Sequence, residues 1–132
     1  MPPAPANDMF AAAQAIAGGS GVVSGSTVSA TKEPGEPAHA GNAGRHSVWY
    51  RWQASARVTV TFSTSGSGFD TLLAVYEGSS VSALATVAAN DDAGSGTTTS
   101  RVRFRTRAGA TYFIAVDGKN GAAGPLTLSW ST

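Results

Sequence analysis

The chain has 132 residues, of which 13% are charged, and its formal net charge is +1. That length suits one domain with a real core, and the balanced charge argues against a general nucleic-acid binder, which usually carries a strong basic excess. No apolar run approaches the roughly 20 residues that span a bilayer, so no membrane span is expected. The chain has no cysteine, which at this size excludes neither an oxidising nor a reducing compartment.

The first third of the chain has the weakest secondary-structure signals. Residues 1–6 read as a Pro/Ala linker, and residues 7–132 as one domain of a larger multidomain chain. Residues 11–17 fit either a short helix capped by Asp8 or an extended segment along a sheet. Residues 21–31 have the composition of an edge strand, and residues 32–44 that of a loop rich in Gly and Pro.

The rest of the chain has the signals of β-strands. Apolar side chains alternate with polar ones, or form short continuous runs, between turn residues. The predicted strands are residues 47–53, 57–64, 69–76, 84–89, 101–107, 111–117 and 126–130. With the edge strand, about eight strands predict an all-β fold, an antiparallel β-sandwich of jelly-roll type. Residues 71–76 and 112–116 are apolar on both faces and are expected at the centre of a sheet.

Acidic residues flank the hairpin formed by residues 69–92. If its two runs pair about a turn at residues 77–80, the numbers of paired residues sum to roughly 161, and Asp70 faces Asp91. Asp92 and the amide of Asn90 lie beside them in sequence. Clustered carboxylates repel unless a cation or donor groups compensate, and Ca²⁺ prefers oxygen ligands. The interpretation is a Ca²⁺ site; the alternative is a set of carboxylates that cap turns, since Asp70 and Asp91 lie at ordinary cap positions.

A second acidic group offers another Ca²⁺ site. The residues concerned are Asn7, Asp8, Glu33 and Glu36. The Pro34-Gly35 turn places both glutamates on one side of a loop, where the N-terminal segment can meet them. The alternative is a solvated loop whose acids form weak ion pairs with Lys32 or Arg45.

Two further features suggest polymer binding. Arginine recurs at every second position, at Arg101, Arg103, Arg105 and Arg107, so these side chains share one sheet face. They form either a basic stripe for an anionic polymer or an ordinary solvent-facing strand. Trp49 lies on the opposite strand face from Tyr50, so a carbohydrate-binding module with exposed aromatics is an alternative, although core packing is expected for most aromatics.

Signals for catalysis are few. The histidines, His39 and His46, lie in or beside a Gly-rich loop, and no serine occupies a Gly-x-Ser-x-Gly elbow. No zinc spacing or phosphate-cradling motif is present. A small hydrolase would need a pocket that joins one of these histidines to a Ser and an Asp.

The order of several short motifs along the chain resembles the bacterial pre-peptidase C-terminal (PPC) domain family. The matching segments are Asn-Asp-Met-Phe at 7–10, Ala-Thr-Lys-Glu-Pro-Gly-Glu-Pro at 30–37, Ser-Val-Trp-Tyr at 47–50, Phe-Asp-Thr-Leu-Leu-Ala-Val-Tyr at 69–76, Asn-Asp-Asp at 90–92 and residues 108–118. The resemblance covers nearly all of the chain from Asn7.

The resemblance implies a jelly-roll-like, non-catalytic accessory module of a secreted or cell-surface bacterial protein. Such modules are attached to proteases and other hydrolases; some bind Ca²⁺, some assist secretion or stability, and some bind polysaccharide or protein polymers. It therefore implies Ca²⁺ as a cofactor and a polysaccharide or protein polymer as a partner, whereas the balanced charge argues against a nucleic-acid partner. The acidic Ca²⁺ ligands of the family vary in position, so only the acidic residues named above carry over.

Overall fold

The computed structural model describes residues 3–94 and 96–132, and within them the protein is a two-sheet β-sandwich with nine strands. The strands are β1 (Gln14–Ile16), β2 (Ser20–Ser26), β3 (Val48–Gln53), β4 (Thr59–Ser63), β5 (Thr71–Glu77), β6 (Ala85–Asn90), β7 (Arg101–Arg105), β8 (Thr111–Gly118) and β9 (Pro125–Ser131). Short 3₁₀ turns lie at Phe10–Ala12 and Lys119–Gly121. Across the described residues, no helix has the length and apolar character needed to cross a membrane.

The strand order is that of a jelly roll. The large sheet has the order β1-β3-β8-β5-β6, and the small sheet the order β2-β9-β4-β7. If β2 is taken as strand 1 and β9 as strand 8, the small sheet has the order 1-8-3-6. The large sheet, without β1, then has the order 2-7-4-5. This is the wrapped double Greek key of jelly rolls. The predicted antiparallel jelly-roll sandwich is confirmed; β1, which pairs in parallel with β3, is an added edge strand.

Strands β5 and β8 lie at the centre of the large sheet because both of their faces are covered. One face packs between the sheets, where Leu73, Val75 and Ile114 are fully buried. The other face packs against a second apolar cluster, which contains Phe10, Ala13, Trp49, Ala74, Tyr76 and Ala115. The prediction that these two strands are central, made from their two apolar faces, is confirmed.

The N-terminal segment supplies part of that second cluster. Of the two structures predicted for residues 11–17, the extended one is found, since a 3₁₀ turn leads into β1 along the edge of the large sheet. Asp8 does not cap a helix. Its carboxylate accepts hydrogen bonds from the backbone N–H of Thr31 at 2.6 Å and from the Thr31 hydroxyl at 2.8 Å.

The predicted register of the β5–β6 hairpin is wrong by one or two residues. Leu73 pairs with Asn90, and after a register shift between Val75 and Tyr76, Glu77 pairs with Ala85. The connection covers residues 78–84 instead of a tight turn at 77–80, so the centre of the hairpin lies further along the chain. The longer connection leaves Leu84 and Val81 free to pack onto the second apolar cluster.

Candidate functional site

Three carboxylates meet at one end of the large sheet, and this group is called the acidic corner: Asp70, Asp91 and Asp92. Asp70 immediately precedes β5 and Asp91 immediately follows β6, so antiparallel pairing brings the two strand ends together. One oxygen from each carboxylate lies within 4.8 Å of the other two. The structure thus gathers these three side chains despite the altered register.

Asn90 contributes to the acidic corner less directly than the sequence predicts. Its side-chain oxygen accepts a hydrogen bond from the backbone N–H of Arg101 at 3.0 Å. The amide therefore ties the end of β6 to the start of β7 in the other sheet. A network of buried hydroxyls lies behind it, in which the Ser100 hydroxyl is within hydrogen-bond reach of the carbonyl oxygens of Thr71 and Asp91.

The acidic corner holds more negative charge than its own contacts neutralise. Lys119 Nζ lies 3.0 Å from Asp91 Oδ2. Among the described residues, the buried Oδ1 atoms of Asp70 and Asp91 have no hydrogen-bond partner. Burial, followed by the charges of Asp92 and Asp91, raises the pKa of Asp70, and Lys119 opposes the shift. Free carboxylate oxygens close together suit a hard cation such as Ca²⁺.

The second acidic group joins the N-terminal segment to the loop that follows β2. Asn7 Nδ2 donates to the Trp49 carbonyl at 3.0 Å, and Glu33 Oε1 accepts from the backbone N–H of Phe10 at 2.7 Å. The two segments thus meet as the sequence predicts, but protein donors already engage oxygens of Asp8 and Glu33. Among the described residues, Asp8, Glu33 and Glu36 do not form a cluster with ligand atoms within 4.8 Å.

Trp49 is not a ligand-binding platform. Its side chain is fully buried on the outer face of the large sheet, where Phe10 lies at a ring-centroid distance of 5.2 Å and His39 at 5.4 Å. The alternative in which Trp49 is exposed as a ligand-binding residue is wrong, because the N-terminal segment and the loop after β2 cover this face. Among the described residues, every aromatic side chain is buried or half-buried, so a carbohydrate platform of exposed aromatics is absent.

The outer face of the small sheet has the opposite character and is called the arginine face. Four rows of side chains cross this face, one from each strand. In β7 the row is Arg101, Arg103 and Arg105, and it lies beside Ser63, Thr61 and Thr59 of β4. The next rows are Ser129, Ser131 and Thr127 of β9 and then Val22, Ser20 and Ser24 of β2. The three arginines are exposed and alternate with inward-facing Val102 and Phe104. Arginines thus line one edge of a surface of hydroxyl groups.

The fourth arginine of the stripe, Arg107, forms an ion pair, whereas the first three form none with the described residues. Arg107 Nη2 lies 2.7 Å from Glu77 Oε1, which raises the pKa of Arg107. Within residues 3–94 and 96–132, no carboxylate lies within 4.0 Å of Arg101, Arg103 or Arg105. The arginine face therefore has three guanidinium groups that pair with no carboxylate of the described residues.

A buried polar cluster that the sequence did not suggest joins the loop between β2 and β3 to strand β8. His39 Nε2 is 2.6 Å from Glu36 Oε2, and His39 Nδ1 is 2.7 Å from the hydroxyl of Tyr76. Asp117, in β8, offers a carboxylate oxygen within 4.8 Å of the Glu36 and His39 ligand atoms. Burial and the charges of Glu36 and Asp117 raise the pKa of Tyr76, so its phenol stays protonated. The Glu-x-x-His spacing was the available signal.

The histidines are not arranged as in a serine hydrolase. Ser47 Oγ donates to Glu36 Oε2, so the carboxylate lies between the hydroxyl and the imidazole of His39. In a Ser-His-Asp triad the imidazole lies between the hydroxyl and the acid. The ring of His46 instead contacts the Ala30 carbonyl at 2.7 Å through Nδ1.

Comparison with known proteins identifies the fold. Neither a family model nor a curated protein sequence matches the chain. A solved structure does: the pre-peptidase C-terminal domain of collagenase from Bacillus anthracis aligns with a TM-score of 0.58 and 14% sequence identity, over 90% of this chain and 94% of that one. At that identity the likeness concerns the fold. The resemblance found in the sequence motifs is thereby confirmed: the chain has the β-sandwich fold of a pre-peptidase C-terminal domain.

Proposed function

We propose that this chain is a non-catalytic accessory module of a secreted bacterial protein, and that it holds its parent enzyme on an anionic polysaccharide through the arginine face. One similar solved structure is the pre-peptidase C-terminal domain of a collagenase. A module of that fold suits a role beside a catalytic domain. The proposal goes beyond the likeness in naming the surface and the charge of the partner.

The observation that carries this proposal is the row Arg101, Arg103 and Arg105. Alternate residues of a strand are about 6.8 Å apart, so the row presents three positive charges over about 14 Å. Guanidinium groups bind carboxylates and sulfates through paired N–H donors. The neighbouring serine and threonine hydroxyls can donate to and accept from sugar hydroxyls. An extended, anionic sugar chain fits both features.

Affinity chromatography on immobilised heparin tests the proposal. The wild-type protein should be retained and should elute with NaCl, because screening weakens exposed ion pairs. The triple variant Arg101→Gln/Arg103→Gln/Arg105→Gln should pass through the column in the low-salt loading buffer. Arg103→Gln and Arg45→Gln form a matched pair, since each removes one exposed guanidinium but only Arg103 lies on the arginine face. If both single variants elute at equally reduced NaCl concentrations, a defined binding site on the arginine face is contradicted.

We also propose that Ca²⁺ stabilises the module at the acidic corner. The free Oδ1 atoms of Asp70 and Asp91, with Asp92 within 4.8 Å, support this assignment. Lys119 can swing away from Asp91 when a cation binds, since it is partly exposed. Ca²⁺ at a hundred times its Kd should add about 2.7 kcal/mol to the free energy of unfolding. A melting curve that chelator and millimolar Ca²⁺ leave unchanged would contradict it.

A further inference from the structure

The buried cluster of Glu36, His39 and Asp117 has an unbalanced charge. The side chains of Glu36 and His39 are 0% exposed, as is Asp117. Two carboxylates and one imidazole share this space, so even a protonated His39 leaves a net negative charge away from water. A buried charge without a partner is unfavourable, and a bound cation would compensate it.

Asp117 provides an independent sign of a missing partner. Its Oδ1 atom accepts hydrogen bonds from the backbone N–H groups of Arg45, His46 and Gly118, at 3.1, 2.9 and 2.7 Å. Its Oδ2 atom is buried and, among the described residues, has no partner. Oδ2 lies against Gly44, where a Cβ atom would come within 1.9 Å of it. One oxygen is thus fixed by backbone donors, and the other is left free.

We propose that Glu36, His39 and Asp117 bind a divalent transition metal of the Zn²⁺ class. One oxygen of Glu36, the Nε2 atom of His39 and the Oδ2 atom of Asp117 are the ligands. A mixed imidazole and carboxylate set favours Zn²⁺ and its neighbours, whereas Ca²⁺ and Mg²⁺ prefer oxygen alone. This site is distinct from the acidic corner and does not depend on polymer binding.

The surroundings of His39 suit a metal ligand. Metal-binding histidines usually bind through one ring nitrogen and donate the N–H of the other to a fixed acceptor. The Tyr76 hydroxyl lies 2.7 Å from Nδ1 and can accept that hydrogen bond, which leaves Nε2 for the metal. Trp49 packs edge-on against the imidazole ring and restricts its rotation. The ring is therefore held in one orientation.

Metal binding requires a small local change. His39 Nε2 and Glu36 Oε2 are 2.6 Å apart, with a proton between them. Two ligands on a tetrahedral Zn²⁺, each about 2.1 Å from it, lie about 3.4 Å apart. Zn²⁺ would take the place of that proton, and the two ligand atoms would move apart. Two surface clefts are lined by residues of the loop at 38–45, and one of them also by Tyr76, which contacts His39. Entry of the ion would need this loop to move.

Isothermal titration of chelator-treated protein with ZnCl₂ tests the site. The wild-type protein should bind one Zn²⁺ per chain, and Asp117→Asn should weaken binding at least tenfold. That variant is well matched, because the Asn side-chain oxygen can still accept the three backbone hydrogen bonds while the free oxygen is lost. His46→Gln removes the other imidazole, and Asp70→Asn alters the acidic corner; both should bind as the wild type does.

Several results would overturn the proposal. These are a failure of wild-type protein to bind Zn²⁺ with a stoichiometry of one, equal affinity in Asp117→Asn, or loss of binding in His46→Gln. If Asp117→Asn does not fold by circular dichroism, the wild-type protein titrated with Co²⁺ decides. Strong visible absorption bands from a low-coordinate Co²⁺ site, suppressed by added Zn²⁺, support the site. The weak spectrum of hydrated Co²⁺ overturns it.

Discussion

Gly44 permits the close approach of its loop to Asp117. It has φ +56°, a conformation that L side chains rarely adopt, and its missing Cβ leaves space for the Asp117 carboxylate. Gly41, in the same loop, has φ +75° but no atom within 4 Å of an added Cβ. The two glycines therefore separate the cost of the backbone conformation from the cost of the steric clash.

Substitution of these glycines by alanine should give unequal losses of stability. Gly41→Ala should lower the free energy of unfolding by about 1–2 kcal/mol, the cost of a left-handed backbone. Gly44→Ala should lose a further 1–3 kcal/mol or so, because the added methyl overlaps Asp117. Urea unfolding measures both. Similar losses in the two variants would mean that the loop moves away from Asp117 at little cost.

Asp70 should make stability depend on pH in a defined direction. Its pKa is raised in the folded state, so the folded protein holds that proton more tightly than the unfolded chain. This contribution is present below the unfolded pKa and disappears as the pH rises through the folded pKa. Without Ca²⁺, Asp70→Asn should therefore be more stable than the wild type at neutral pH, by up to about 0.5 kcal/mol.

The advantage of Asp70→Asn should shrink as the pH is lowered through the folded pKa, and the variant should lose the stabilisation by Ca²⁺. Thermal melts across pH, with and without Ca²⁺, measure both effects. Asp92→Asn is a useful comparison, because Asp92 is exposed and adds only part of the repulsion. A wild type that is the more stable protein at neutral pH without Ca²⁺ would contradict this view of the acidic corner.

The N-terminal segment is a structural element and not only a leader to the sheets. Phe10 is 8% exposed and lies 4.4 Å from Phe113 and 5.2 Å from Trp49, measured between ring centroids. Phe10→Ala should cost about 3–4 kcal/mol of unfolding free energy, whereas Met9→Ala, at a residue 41% exposed, should cost below about 1 kcal/mol. Guanidinium unfolding followed by tryptophan fluorescence measures the difference. Equal, small losses would show that the segment detaches easily.

Strands were predictable where side-chain pattern and burial agree. In β4, Val60 and Phe62 are fully buried and alternate with half-buried Thr and Ser, which is the pattern in the sequence. The double apolar character of β5 and β8 likewise predicted their central place. In contrast, β1 has three residues and takes its form from pairing with β3, so its own sequence leaves helix and strand open.

The candidate sites were predictable only where neighbours in sequence carry the chemistry. The acidic corner is formed by the ends of one hairpin, so its residues could be predicted from a short stretch of sequence. The predicted register of that hairpin was wrong because the connection is longer than a tight turn. The burial of Trp49 depends on residues that are distant in sequence, Phe10 and His39, so periodicity could not reveal which face is covered. Asp117 joins Glu36 and His39 only through the tertiary fold.

The molecule as a whole has two unlike outer surfaces. The large sheet is covered by the N-terminal segment and loops, which bury its aromatic side chains and enclose the Glu36 cluster. The outer face of the small sheet is open and bears hydroxyl groups and arginines. This asymmetry leaves one broad polar surface open to solvent, to which the proposed function assigns the polymer, while the other side supports the fold.

Nuclear magnetic resonance mapping of ligand contacts tests the central claim most directly. ¹⁵N-labelled protein is titrated with a heparin-derived oligosaccharide, and amide and arginine Nε–Hε signals are followed. The account predicts saturable shifts concentrated in β7, β4 and β9, with the largest changes at Arg101, Arg103 and Arg105. Shifts centred on the loop at residues 38–45 or on the acidic corner, or no saturable shifts at low salt, would contradict polymer binding through the arginine face.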